Sequence, residues 1–249
     1  MTRPAPWRRL LAEFTGTLLL VTAVVGSGIM AATLSPNDAG LQLLENSVAT
    51  AFALAALILT FGPVSGAHFN PVVSAADWFL GRRTGTGLTV RDLGGYVVAQ
   101  TAGAIGGSIL ANLMFDLPAV AASGKDRAAG HLLLGEVVAT AGLVLLVFAL
   151  ARSGRAPVAP AAVGAYIGGA YWFTSSTSFA NPAVTVGRAF TDTFAGIAPA
   201  SVPGFVAAQL VGLLAGVGLL LALYPSRRAD PTGHPGPVVA VPSRHGGTP

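Results

Sequence analysis

Six apolar runs constrain this chain more than anything else in it. They lie at roughly 8–30, 45–62, 93–115, 131–151, 157–174 and 202–224, each near the ~20 residues a helix needs to cross a ~30 Å hydrocarbon layer. Backbone polar groups have no water partner in lipid, so spanning runs of this length fold as helices. The composition agrees: of 249 residues, 53% are hydrophobic and 10% charged, and the mean hydropathy is +0.67. A soluble domain carries far more charge than this. Cysteine is absent, which excludes disulfides, thiolate catalysis and Cys-ligated metals. The fold class is an all-α membrane protein.

The basic residues report topology rather than nucleic-acid binding. If every run crosses, Arg3, Arg8, Arg9, Arg82, Arg83, Arg91, Arg152, Arg155, Arg227, Arg228 and Arg244 share one side. Only Lys125, Arg127 and Arg188 fall on the other. The positive-inside tendency then puts both termini in the cytoplasm, with lipid as the surrounding partner. The first run is longer than a signal-peptide core and lacks a cleavage site, so it is read as the first membrane helix.

Two shorter segments, 70–80 and 181–191, each open with Asn-Pro and cannot span alone. They belong to an internal repeat. Ala12-Glu13-Phe14-Thr15-Gly16-Thr17 echoes Gly135-Glu136-Val137-Val138-Ala139-Thr140; Asn70-Pro71-Val72 echoes Asn181-Pro182-Ala183; Tyr96-Val97-Val98-Ala99-Gln100 echoes Phe205-Val206-Ala207-Ala208-Gln209. The order is the same, at offsets of 123, 111 and 109 residues. The expected division is a first repeat over 1–115 with half-helix 70–80, a connecting loop over 116–130, and a second repeat over 131–224 with half-helix 181–191. A disordered cytoplasmic tail follows over 225–249. Three crossings per half make the two halves inverted, which places a site at their interface near the midplane.

Asn-Pro suits a helix start, because Pro lacks an N–H that would be unpaired there and Asn caps the first turn. Two half-helices meeting at the centre of the membrane would line a constriction with two amide donors, passing water or hydroxylated solutes and opposing cations.

Ser65-Gly66-Ala67-His68-Phe69-Asn70-Pro71-Val72, the second Asn181-Pro182-Ala183, and Glu13 and Glu136 in their small-residue contexts resemble the aquaporin (major intrinsic protein) family. The resemblance runs from about Arg8 to Tyr224. It implies six transmembrane helices plus two re-entrant half-helices, a pore in each protomer, and a homotetramer. Most members continue the second motif with an arginine; here Val184 stands in that place. Ungapped counting carries the remaining filter positions onto Thr50, Gly169 and Ser178, with Gly168 or Ala170 as one-residue slips of Gly169. A Thr50-Gly169-Ser178-Val184 ring has no aromatic ring, imidazole or guanidinium, so a wide filter is expected. Thr185 replaces the aspartate of typical glycerol facilitators. The stretch 173–190 looks like bacterial aquaglyceroporin relatives associated with arsenic resistance, which implies downhill passage of glycerol-like neutral solutes such as arsenous acid.

Several residues carry two readings. Glu13 and Glu136 could serve a proton-coupled transporter, or accept hydrogen bonds from re-entrant backbone; the symmetry favours the second. His68 could be a pH gate or a loop brace, and no second His or Cys stands near it at metal-ligand spacing. Arg188 lies ~10.5 Å along a helix from Asn181, against ~4.5 Å for Val184. It either charges the outer vestibule or pairs with Asp192 on an exposed helix face. Gly103, Gly107, Gly212 and Gly216 are expected to permit close helix packing. No enzyme constellation and no cofactor motif is visible. The partners expected are neutral small-molecule solutes and other copies of the chain. An ordinary water channel is the second functional expectation.

Overall fold

A computed structural model describes residues 4–82 and 84–224; the expected tail over 225–249, with Arg3 and Arg83, lies outside the described residues. The helices are α1 (Pro6–Leu34), α2 (Ala39–Ser65), α3 (Pro71–Gly81), α4 (Val90–Met114), α5 (Gly130–Arg152), α6 (Ala159–Phe173), α7 (Pro182–Gly187) and α8 (Val202–Leu223). Five of them, α1, α2, α4, α5 and α8, are long and apolar enough to cross a membrane. The sixth expected crossing is α6, of 15 residues. A 3-10 turn, Ala156–Val158, leads into it, and the two together rise ~28 Å.

Helix starts follow their sequences. Asp38 caps α2 by accepting from Leu41 N, and Thr89 with Asp92 forms a capping box on α4. Asn70 and Asn181 cap the two half-helices, with Pro71 and Pro182 in the first helical position. The second half-helix is shorter than expected. The α-helix ends at Gly187, a 3-10 turn covers Arg188–Phe190, and Thr191 is extended. The ending is fixed by α4, whose Ser108 hydroxyl donates to the Gly187 carbonyl at 2.8 Å.

The long helices pair α1 with α4 and α2, and α5 with α8 and α6; α2 meets α6 between the halves. Each half-helix touches both halves: α3 packs on α4, α8 and α5, and α7 on α4, α8 and α1. The close pairs rest on glycine. A Cβ on Gly103 or Gly107 would come within 2.3 Å of the Phe14 or Leu18 carbonyl oxygen of α1. One on Gly216 would reach the Ala141 carbonyl oxygen of α5 at 2.6 Å, and one on Gly212 the Val137 carbonyl oxygen at 2.7 Å. The expected role of these four glycines is therefore met by backbone-to-backbone approach, the small-residue packing of membrane helices.

Gly107→Leu and Gly216→Leu should each lower the thermal unfolding temperature in detergent, through overpacking that costs at least ~1–3 kcal/mol. Gly218→Leu is the control, because a Cβ there meets nothing within 4 Å; equal behaviour of all three would refute this packing.

Candidate functional site

The loops that enter the two half-helices are built alike. Before Asn70 run Gly66, Ala67 and Phe69 with φ of 92°, 49° and 50°; before Asn181 run Thr177, Ser178 and Ala180 with φ of 61°, 51° and 48°. Left-handed backbone at non-glycine residues costs ~1–3 kcal/mol each and persists only where its surroundings enforce it. The enforcement comes from Glu13 and Glu136, both fully buried.

Glu13 Oε1 accepts from the Ser65 hydroxyl at 2.6 Å and from His68 N at 2.9 Å; its Oε2 accepts from Phe69 N at 2.7 Å and Gln100 Nε2 at 2.8 Å. Glu136 Oε1 accepts from Phe179 N at 2.9 Å, and its Oε2 from Ala180 N at 2.8 Å and Gln209 Nε2 at 2.7 Å. Ser65 and Ser176 repeat a smaller detail, each hydroxyl accepting the N–H two residues on, at 3.0 Å and 3.2 Å. Such geometry consumes the carboxylate oxygens in holding backbone.

The halves meet through their asparagines. Asn70 Nδ2 donates to the Ala180 carbonyl at 2.8 Å, and Asn181 Nδ2 to the Phe69 carbonyl at 2.7 Å. Their Oδ1 atoms accept from Val72 N in one half and from Ala183 N and Val184 N in the other. Each amide nitrogen thus has a second hydrogen to offer. Both asparagines line a cavity of about 250 Å³.

Of the expected filter residues, Thr50, Ser178 and Val184 line this cavity, as do His68 and Arg188. Gly169 does not. It lies on the exposed side of α6, and neither Gly168 nor Ala170 reaches the cavity either. The lining face of α6 is Val163, Ile167 and Tyr171, an i, i+4, i+8 stripe. Tyr171 OH stands 3.2 Å from Thr50 Oγ1 across the gap between α6 and α2. The expectation of a ring with no aromatic side chain and no guanidinium is corrected accordingly, because Tyr171, Phe179 and Arg188 border the same cavity.

Arg188 is 3% exposed, so the exposed-face pair with Asp192 is also corrected. The α-helix stops at Gly187 and the extended Thr191 takes Asp192 off its face. Asp192 instead accepts from Gly124 N at 3.0 Å. Arg188 Nε donates to the Ala195 carbonyl, and its Cζ sits 3.4 Å from the Phe179 ring centroid. Arg127 stacks on that ring as well, at 5.0 Å, and donates from Nε to the Gly196 carbonyl at 3.0 Å. The loop over 116–129 is thereby tied to 190–198, with Lys125 Nζ on the Phe194 carbonyl at 2.8 Å. Burial, with repulsion from Arg127 and Arg188, pushes the Lys125 ammonium below its ordinary pKa.

His68 and Phe179 hold the same place in their loops, two residues before each asparagine. His68 packs edge-on against Tyr96 at 5.5 Å, and Phe179 edge-on against Phe205 at 5.1 Å. The His68 ring nitrogen Nδ1 lies 3.1 Å from Ser74 Oγ, while its backbone N–H is held by Glu13. In the first half, Arg9 Nε donates to Tyr96 OH at 3.1 Å, and that hydroxyl donates to the Ser65 carbonyl at 2.7 Å. Sequence reasoning missed Tyr171, Phe179 and Arg9; the Val163-Ile167-Tyr171 periodicity was the available signal for the first.

Two half-helices meeting at crossed asparagines, beside a cavity inside a bundle of membrane-length helices, define a transmembrane pore. The family model for "Major intrinsic protein" matches residues 1–178, and the chain belongs to that family, a family of channels and not of enzymes. It is 52% identical to the aquaglyceroporin AqpS of Rhizobium meliloti over 221 residues, which is 88% of this chain and 92% of that one. It is 30% identical to a probable aquaporin, AqpM, of Archaeoglobus fulgidus over 76% of this chain and 85% of that one. The fold matches the X-ray structure of the aquaglyceroporin from Plasmodium falciparum with a TM-score of 0.63 at 19% identity, covering 88% of this chain and 96% of that chain.

Glu136→Gln replaces one acceptor oxygen by a donor facing Phe179 N or Ala180 N, leaving a buried N–H unpaired at a cost of ~1–3 kcal/mol. Lower thermal stability is expected, and any flux that remains should be indifferent to a protonophore. Protonophore-sensitive uptake abolished by this variant without loss of stability would make Glu136 a coupling group instead.

Proposed function

We propose that the chain is a passive channel for small neutral solutes, of which glycerol and metalloid hydroxides such as arsenous acid are the leading class, with water also passing. The observation that carries this reading is the single cavity running past both Asn70 and Asn181 and on between Thr50, Ser178 and Val184. Its walls are otherwise mostly aliphatic, from Leu20, Val24, Leu54, Val73, Leu143 and Val163. A solute with several hydroxyls accepts from the free amide hydrogens and exchanges hydrogen bonds with Thr50, Ser178 and Tyr171, replacing the water it sheds. Arsenous acid is uncharged at neutral pH and carries three hydroxyls, as glycerol does. Val184 offers an aliphatic face where an arginine would fill the passage, and the similarity to AqpS, named an aquaglyceroporin, supports a solute larger than water.

In this reading Glu13 and Glu136 support the loops, His68 braces the inner one, and Asn70-Pro71-Val72 with Asn181-Pro182-Ala183 form the pore centre. Thr50, Tyr171, Ser178 and Val184 form the outer filter. The protein works as a homotetramer in the inner membrane with both termini in the cytoplasm, the side to which its arginines are biased. A second reading, an ordinary water channel, is favoured by one observation: Tyr171 and Arg188 border the cavity and narrow the end that Val184 widens.

Stopped-flow swelling of proteoliposomes separates the two. Glycerol and arsenite should enter well above the rate of empty vesicles. Val184→Arg should cut that solute flux by about tenfold or more while sparing water, the size of effect that removing one favourable contact and blocking the passage produces. Water flux without solute flux in the native protein would favour the narrow reading.

A further inference from the structure

The two half-helices carry opposite charges at the same place. Asp77 stands along α3 from Asn70 by the same count that Arg188 stands along the second half-helix from Asn181. Both line the cavity, and they are its only Asp, Glu, Lys or Arg among the described residues. Asp77 Oδ2 accepts from Leu88 N at 2.8 Å, and the residue also borders an inner recess whose rim includes Arg152, itself bonded from Nη1 to the Tyr224 carbonyl.

Arg188 is the more telling member. Among the described residues the one ion pair found is Arg9 with Asp92, so this buried guanidinium has no carboxylate against it. Asp192 is turned to Gly124. Glu136 attracts it only through space, with both its oxygens occupied by Phe179 N, Ala180 N and Gln209. A charge so placed is supported by the Ala195 carbonyl and the Phe179 face, and it projects its field into the cavity. The loop before the second half-helix also brings Ser178, whose Oγ is buried without a hydrogen-bond partner and borders the same space.

We propose that Arg188 is the cation-excluding and solute-orienting residue of this channel, and that Asp77 at the equivalent inner position makes the field across the pore unidirectional. A cation arriving from outside meets the guanidinium before it can shed its water. A cation drawn in by Asp77 meets the positive ends of the half-helices and then Arg188. The barrier that Val184 cannot supply therefore sits one turn further along. A neutral oxyacid or polyol accepts from the guanidinium and from Asn181, and its own hydroxyl hydrogens go to Ser178 Oγ. The inference rests on the channel reading above.

The test uses the full chain in proteoliposomes and reads the ratio of cation leak, measured with Na⁺ and H⁺ gradients, to glycerol flux. If the native protein passes no glycerol, the channel reading itself fails. If it does, Arg188→Met should raise the cation-to-glycerol ratio by about tenfold or more, Arg188→Lys should keep it low, and Arg188→Met with Asp77→Asn should bring the ratio back down. A folded Arg188→Met protein whose cation leak does not rise, whether glycerol flux persists or vanishes, overturns the proposal and leaves Arg188 a strut for the 190–198 loop. Arg188→Gln, which retains a donor for the Ala195 carbonyl, replaces the methionine variant if that one does not fold. An unchanged ratio on adding Asp77→Asn removes the inner residue from the proposal.

Discussion

One buried carboxylate holds each re-entrant loop, and the pore exists because both do. Chain that enters a membrane and turns back must leave the helix at a depth where no water can satisfy it. Glu13 and Glu136 supply acceptors to the N–H groups just before Asn70 and Asn181, and so fix the left-handed turns that aim the asparagines inward. Gln100 and Gln209 complete the clamp from the fourth and eighth helices. The glycines that bring α4 onto α1 and α8 onto α5 at backbone contact place those glutamines within reach. Packing and polar satisfaction therefore serve one end, the position of two amide groups.

Within this common frame the two halves differ where a solute would touch them. Ala67 answers to Ser178, His68 to Phe179, and Asp77 to Arg188. The frame residues are buried and nearly interchangeable between halves, whereas the lining residues are not. The pore centre is accordingly close to symmetric and the two halves line the cavity differently: the first brings an imidazole and a carboxylate to it, the second a phenol, a hydroxyl and a guanidinium. Selectivity in such a duplicated fold belongs to the positions where the duplication has diverged.

Much of this was legible before any coordinates. The Asn-Pro pairs, the Glu echoes and the Gly spacing each state a requirement of the fold in residues that nothing else explains well; in the structure the asparagines cap the two half-helices, the glutamates hold the loops before them, and the glycines sit at close helix contacts. Register was harder. Gly169 was reached by counting back from Asn181 through Thr174–Ala180, an irregular stretch with three left-handed residues, and a count through such a stretch does not conserve the face of a helix. The apolar stripe of Val163, Ile167 and Tyr171 on α6 was the safer guide. The pairing of Arg188 with Asp192 fails for a related reason: it needs a helix that continues, but the Ser108 contact at Gly187 and the loop tied down by Arg127 end it. Tertiary contacts of that kind leave no local mark in the sequence.

The crossed bonds of Asn70 to Ala180 and Asn181 to Phe69 join residues 110 and 112 positions apart. Neither half can finish its own loop, since each carbonyl at the pore centre is satisfied by the asparagine of the other. Contacts so distant along the chain form late. The first re-entrant loop therefore stays unfinished until Ala180 and Asn181 are in place against it. The pore centre is thus a joint product of the two halves, and neither half alone contains one.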